Sequence, residues 1–128
     1  MVKKITYEQA GLSGNPLLSA AYKSNGIVFT SGSIGQKDGV YPEDVSEQAE
    51  LAIQNLFKVL KASGSSPDRV LKVLLFVSNG DDAAAVNKVY SKYFPSKPAR
   101  SCIVVSFPNK SVKVEMECIA EAKSFWKL

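Results

Sequence analysis

The spacing of apolar residues changes rhythm several times along this chain, and each change marks an element. "NGIVFTSGSIG" (25–35) opens on a turn pair and runs through β-branched and aromatic residues, which predicts a strand with a glycine-rich exit. In "PEDVSEQAELAIQNLFKVLKASG" (42–64) the rhythm becomes helical: Ala49, Ala52, Ile53, Leu56, Phe57 and Leu60 recur at helical spacing, acidic residues open the segment, and Lys61 and Gly64 mark its end. "RVLKVLLFVS" (69–78) is almost continuously apolar, as an interior parallel strand should be. "GDDAAAVNKVYSKYF" (80–94) predicts a second helix, with Asp81 or Asp82 as its N-cap and Pro95 and Pro98 beyond its end. A third strand is predicted over "ARSCIVVSF" (99–107) and, after the turn residues "PNKS", a fourth over "VKVEMECIAEAKSF" (112–125). The N-terminal "VKKITYE" (2–8) adds a candidate edge strand.

Strand, helix, strand, helix, strand, strand is a βαβαβ core with one strand appended. Right-handed crossovers make the first three strands parallel, and two crossovers stepping the same way across the sheet put both helices on one face. The opposite face then lacks a cover. Yet both sides of the second strand are apolar, with Lys72, Leu74 and Phe76 on one and Leu71, Val73, Leu75 and Val77 on the other. That predicts a homo-oligomer built on the bare face. In the last strand Val112, Val114, Met116, Cys118 and Ala120 share the core side, and Lys113, Glu115, Glu117, Ile119 and Glu121 the other. Carboxylates between subunits call for a positive partner or water. Arg100, which shares a face of the third strand with Cys102 and Val104, is the candidate cation.

Composition narrows the chemistry. The 128 residues fit a single domain over 1–128, and 45% hydrophobic with 22% charged content is that of an ordinary globular protein. There is no histidine, which removes Ser-His-Asp and Cys-His catalysis and imidazole metal sites together. The net charge of +4 comes from lysines scattered along the chain, so the pattern argues against a dedicated nucleic-acid groove. Two cysteines, and an N-terminus with neither a secretion-signal core nor an arginine-rich transit pattern, favour a reducing compartment. The expectation is cytoplasmic, with the mitochondrion left open and no membrane association.

The residues also match a known pattern. "VFTSGSIG" near the start, "VNKVYSKYF" before the arginine, "PARSC" and then "VKVEMECIA", in this order and spacing, resemble the YjgF/RidA-like family of reactive-intermediate deaminases from about Pro16 to Ala122. The resemblance implies an α+β, chorismate-mutase-like fold: a βαβαββ core, a mixed sheet with two helices on one face, and a homotrimer whose sheets line a central barrel. It replaces the simple hairpin of the last two strands with a final strand inserted antiparallel between the first and second. Cys102 and Cys118 then sit on non-adjacent strands, which disfavours a disulfide. The implied activity is hydrolysis of 2-imino acids and their 2-enamino tautomers to 2-oxo acids and ammonia, in a cleft between subunits, with no metal or cofactor. Pyridoxal-phosphate-dependent dehydratases release such intermediates, an indirect metabolic link.

By the same resemblance, Arg100 grips the substrate carboxylate, for which a planar guanidinium with two parallel donors is suited. Glu115 positions the hydrolytic water. Cys102 is a wall residue of the site, Ser31 and Gly32 bring a backbone N–H to the carboxylate, and Asn87 lies near the cleft on the second helix. Against these roles stand a surface ion pair for Arg100, an interface ion pair for Glu115 with Lys113 or Arg100, packing for Cys102, a strand-end turn for Gly32 and a solvent-facing position for Asn87. Two positions depart from the family pattern. Leu18 stands where many deaminases carry tyrosine, with Tyr22 out of register, and Ser33 stands where glutamine is common. The competing functions are an endoribonuclease or translation inhibitor, and a non-catalytic small-carboxylate-binding or chaperone-like trimer.

Overall fold

The computed structural model describes residues 2–123. Strands β1 (Val2–Ile5), β2 (Ala21–Ser24), β3 (Ile27–Thr30), β4 (Ser33–Ile34), β5 (Val70–Val77), β6 (Ala99–Val104) and β7 (Val114–Glu121) form one sheet, with helices α1 (Val45–Ala62) and α2 (Ala83–Tyr93) between them in sequence. The sheet order is β1-β2-β3-β7-β5-β6, and β4 also pairs with β7. Only β5 and β6 are parallel neighbours; β7 lies antiparallel between β3 and β5, and both β3 and β4 run against it. This is the mixed α+β sheet that the family resemblance implies, with the final strand inserted rather than folded back on β6.

Local chemistry explains most boundaries. The Asp44 side chain accepts a hydrogen bond from the Glu47 backbone N–H at 3.0 Å and caps α1, a contact worth about 1 kcal/mol in helix stability. Gly64, at φ 77°, ends the helix in the left-handed region that glycine enters without a Cβ penalty. At the second helix the expected aspartate cap is replaced. Asn79 accepts from the Asp81 N–H at 2.9 Å and caps a short 3-10 turn over Gly80–Asp82, while the Asp82 side chain makes no capping bond. The chain enters the helix through that tighter turn, which moves the capping position three residues upstream.

Two strands were not apparent in the apolar pattern. β2, "AYKS", is short and polar, and Asn25 and Gly26, both at positive φ, turn it directly into β3 as a hairpin. β4 is two residues long. The candidate edge strand at the N-terminus is present as β1, antiparallel to β2. The fourth predicted strand is shorter than its pattern, and Ser124 and Phe125 lie outside the described residues.

α1 packs on β3, β4, β7 and α2, and the enclosed core includes Ile53, Leu56, Leu60, Val73, Leu75, Val114, Met116 and Cys118. A register shift between Val70 and Lys72 changes one expected face: Leu71 bulges out, half exposed, and Val70 is buried in its place. From Val73 to Val77 the alternation is regular. The helix-free face presents Tyr22, Phe29 and Ile103, which are 46%, 48% and 43% exposed. No helix among the described residues is long and apolar enough to cross a membrane.

Candidate active site

Glu115 follows the first residue of β7, paired with Phe76 of β5 and Ile34 of β4, so its side chain leaves the sheet on the face opposite the helices. It leans over Gly32. A Cβ on Gly32 would fall 2.6 Å from the Glu115 carboxyl carbon, so only glycine leaves room for this carboxylate. The pair lies at the wall of a half-open cavity of about 450 Å³, which also takes in Tyr7, Leu12, Leu18 and Tyr41. Among the described residues no cation and no hydrogen-bond donor pairs with the carboxylate. Burial, and after it the neighbouring Glu117 charge, push the Glu115 carboxyl above its ordinary range. An unpaired, partly desolvated carboxylate beside a cavity is a group able to accept a proton from water there.

The start of β7 is held by a side chain from α1. Gln48 is fully buried; its Nε2 donates to the Pro42 and Ser111 carbonyls at 2.8 and 2.7 Å, and its Oε1 accepts from the Lys113 N–H at 2.9 Å. One amide thus ties the loop before α1 and the turn before β7 to the helix. The Lys113 ammonium bonds the Glu43 carbonyl, not Glu115.

Arg100 occupies the other face. Its partner in β5 is Val73, whose side chain is in the core, so Arg100 leaves β6 on the helix side, and its guanidinium carbon stands 4.6 Å from the centre of the Tyr90 ring on α2. Cys102 lies two residues on along the same face, exposed, and Asn87 is exposed on α2 one turn before Tyr90. The expectation that Arg100 supplies positive charge to the glutamate face is therefore corrected within one copy of the chain. The two groups are three β5 positions apart in register, an odd number, and project from opposite sides of the sheet.

The other candidates divide the same way. Leu18, Gly32 and Ser33 line the Glu115 cavity, whereas Tyr22 lies on the open sheet face opposite Phe29. Ser31 donates its N–H to the Ala20 carbonyl at 2.9 Å and its hydroxyl to the Ser19 carbonyl at 2.7 Å, so both of its donors are used inside the protomer. Cys102 and Cys118 are both free thiols, on strands separated by β5. Among the described residues no three Cys, Asp or Glu side chains gather as a metal site. Tyr7, Leu12, Tyr41 and Asn55 also reach the cavity and went unnoticed in the sequence. The turn-rich stretches "GLSGNP" and "KDGVYP" that carry or flank Tyr7, Leu12 and Tyr41 are their only local signal, and Asn55 lies inside α1 with none.

Comparison with known proteins places this geometry among relatives. The family model described as Endoribonuclease L-PSP matches residues 12–122. "Protein mmf2, mitochondrial" of Schizosaccharomyces pombe is 37% identical, the alignment covering 93% of this chain and 98% of that protein. "Reactive Intermediate Deaminase A, chloroplastic" of Arabidopsis thaliana is 37% identical over 93% of this chain and 66% of that one. The crystal structure of Escherichia coli TdcF with bound serine superposes with a TM-score of 0.86 at 32% identity, covering 94% of this chain and 100% of the other.

Proposed function

The chain belongs to the Endoribonuclease L-PSP family, the YjgF/RidA-like proteins, and from that membership we propose that it hydrolyses 2-imino acids and their 2-enamino tautomers to 2-oxo acids and ammonia. The observation that carries the reading is the Glu115 carboxylate, unpaired among the described residues, raised in pKa and seated over Gly32 at the cavity wall. Two comparisons support it. A relative of similar length overlap bears the name reactive intermediate deaminase, and a structural relative holds serine, a small molecule with a carboxylate next to an amino-bearing carbon.

In this reading Arg100 receives the substrate carboxylate through two parallel N–H donors, aided by the Gly32 backbone N–H, since the Ser31 N–H is taken by the Ala20 carbonyl, with Asn87 and Cys102 beside it. Glu115 orients a water molecule and takes its proton as the oxygen bonds to the imine carbon, while the imine nitrogen takes up a proton. The resulting carbinolamine holds one hydroxyl and one amino group on the same carbon. Proton transfer from Glu115 to that nitrogen, cleavage of the C–N bond and loss of the hydroxyl proton leave a 2-oxo acid and ammonia. Water is the only co-reactant.

Because Arg100 and Glu115 leave opposite faces of one sheet, a site using both needs two copies, and a homotrimer supplies one such cleft per interface. The exposed apolar face of the sheet provides the surface for that assembly. Enamines released by pyridoxal-phosphate-dependent dehydratases are the proposed source of substrate. RNA cleavage, which the family description names, finds less support: the cavity offers one carboxylate and neither a histidine nor clustered cations.

The test is the rate of ammonia and 2-oxobutanoate release from enamine generated in situ by a threonine dehydratase. The protein accelerates it, and Arg100→Ala and Glu115→Gln each remove the acceleration while the fold persists. Full acceleration by either variant overturns the assigned roles. Binding of 2-oxo acids with no change in imine decay identifies a carboxylate-binding protein instead.

A further inference from the structure

Arg100 has no carboxylate partner among the described residues. Among the described residues its one specific contact is with the Tyr90 ring, 4.6 Å from guanidinium carbon to ring centre. That ring is itself fixed. Tyr90 stacks on Phe94 with centroids 4.4 Å apart and planes 24° from parallel, and Phe94 meets Phe57 of α1 edge-on at 5.5 Å. Contacts therefore run unbroken from the C-terminal third of the longer helix to the guanidinium.

We propose that Tyr90 is a positioning residue for the carboxylate site: its ring face holds the Arg100 guanidinium and leaves the in-plane N–H fork free for substrate. The inference rests on the reading of Arg100 as the carboxylate clamp. Its physical basis is that an aromatic face and a carboxylate engage different parts of a guanidinium. The ring attracts the cation through its quadrupole, from above the plane. The carboxylate takes hydrogen bonds within the plane. A protein carboxylate placed to hold Arg100 would occupy that fork and compete with substrate. With no holder, the side chain loses its rotamer freedom only when substrate arrives, which weakens binding. A ring avoids both costs.

The hydroxyl of Tyr90 takes no part. It is buried with no hydrogen-bond partner among the described residues. Burial raises its pKa, so the phenol stays neutral and sets no second charge beside Arg100. The ring alone is the functional element, which separates this role from that of a hydrogen-bonding tyrosine and makes phenylalanine an adequate replacement.

The experiment compares Tyr90→Phe, Tyr90→Leu and Arg100→Ala in the full-length protein, reading kcat and KM for the imine together with the dissociation constant of 2-oxobutanoate and the thermal midpoint. Tyr90→Phe keeps wild-type binding. Tyr90→Leu raises KM and the dissociation constant about ten-fold, the loss of one cation–π contact at a partly buried site, with kcat little changed. A folded Tyr90→Leu protein that binds 2-oxobutanoate as wild type does, or a Tyr90→Phe protein as weakened as Tyr90→Leu, overturns the positioning role. If Arg100→Ala also binds as wild type, the clamp itself is wrong; if Arg100→Ala weakens binding and Tyr90→Leu does not, only the positioning role falls. Should the leucine variant fail to fold, NMR of the wild-type Arg100 Nε–H decides. A ring-current-shifted, ordered signal supports the contact, and a motionally averaged one at the ordinary arginine position overturns it.

Discussion

Arg100 and Glu115 project from opposite faces of one sheet, the first registered with Val73 and the second with Phe76 of the same strand, β5. A strand alternates its side chains with period two, so no rotamer change brings these groups together within one copy. Each instead heads its own partial site. Glu115 has Gly32, Leu18 and the cavity; Arg100 has Tyr90, Asn87 and Cys102. The proposed chemistry needs both halves, which makes assembly part of the mechanism.

The raised pKa of Glu115 couples activity and stability to pH in opposite senses. The proposed role as a base requires the ionised form, so kcat/KM rises with pH through a value above the ordinary carboxylate range. For stability, a carboxyl whose folded pKa exceeds its unfolded one favours folding while protonated, and that contribution is lost as pH rises through the folded value. Glu115→Gln is therefore inactive yet melts higher than wild type at neutral pH. The difference disappears below about pH 4, where both states of the wild-type carboxyl are protonated. Thermal melts at the two pH values check the sign, and a variant that melts lower at pH 7 contradicts it.

Two glycines separate function from folding. Gly32→Ala places a methyl against the Glu115 carboxylate, the movable end of a side chain, so the variant folds and loses about 10- to 100-fold in kcat/KM through displacement of that group. Gly35→Ala places its methyl 2.2 Å from the Gln48 backbone oxygen, which cannot yield without moving α1. A cost of about 3 kcal/mol in folding stability follows. Denaturant titration and steady-state kinetics on both variants distinguish the two effects. Equal loss of stability in the pair contradicts the assignment.

The thiols differ in the same manner. Burial pushes the Cys118 thiol up to about 12, whereas Cys102 lies exposed beside Arg100 on the edge strand. A maleimide modifies one thiol per native chain, Cys102, and saturating 2-oxobutanoate slows that reaction several-fold by occupying the neighbouring clamp. Mass mapping after partial labelling checks both points. Rapid modification of Cys118 in the folded protein contradicts the first, and labelling indifferent to ligand the second.

The helices and the long strands were legible because their patterns are long: a 3.6-residue rhythm over α1 and a continuous apolar run over β5 leave little choice. β2 and β4 were not, since four and two residues carry no period; β2 is held by its hairpin to β3 and by β1, and β4 by β7, far away in sequence. The place of β7 between β3 and β5 is a long-range fact that local pattern does not encode; family resemblance supplied it. The bulge that turns Leu71 outward is equally invisible, because its sequence alternates as if regular. For the site, the opposing directions of Arg100 and Glu115 emerge only from strand register. Nothing in "VNKVYSKYF" sets Tyr90 apart; its ring meets Arg100 only once α2 and β6 are packed together.

Complementation between copies is the most direct test of a site shared across an interface. Arg100→Ala and Glu115→Gln proteins, each inactive, are unfolded together in equal amounts and refolded, with subunit mixing verified by native mass spectrometry. In the proposed ring-shaped trimer, random mixing restores one intact cleft in each mixed ring, about a quarter of wild-type activity in all. Mixed oligomers that remain as inactive as either parent would show that Arg100 and Glu115 do not act across one interface.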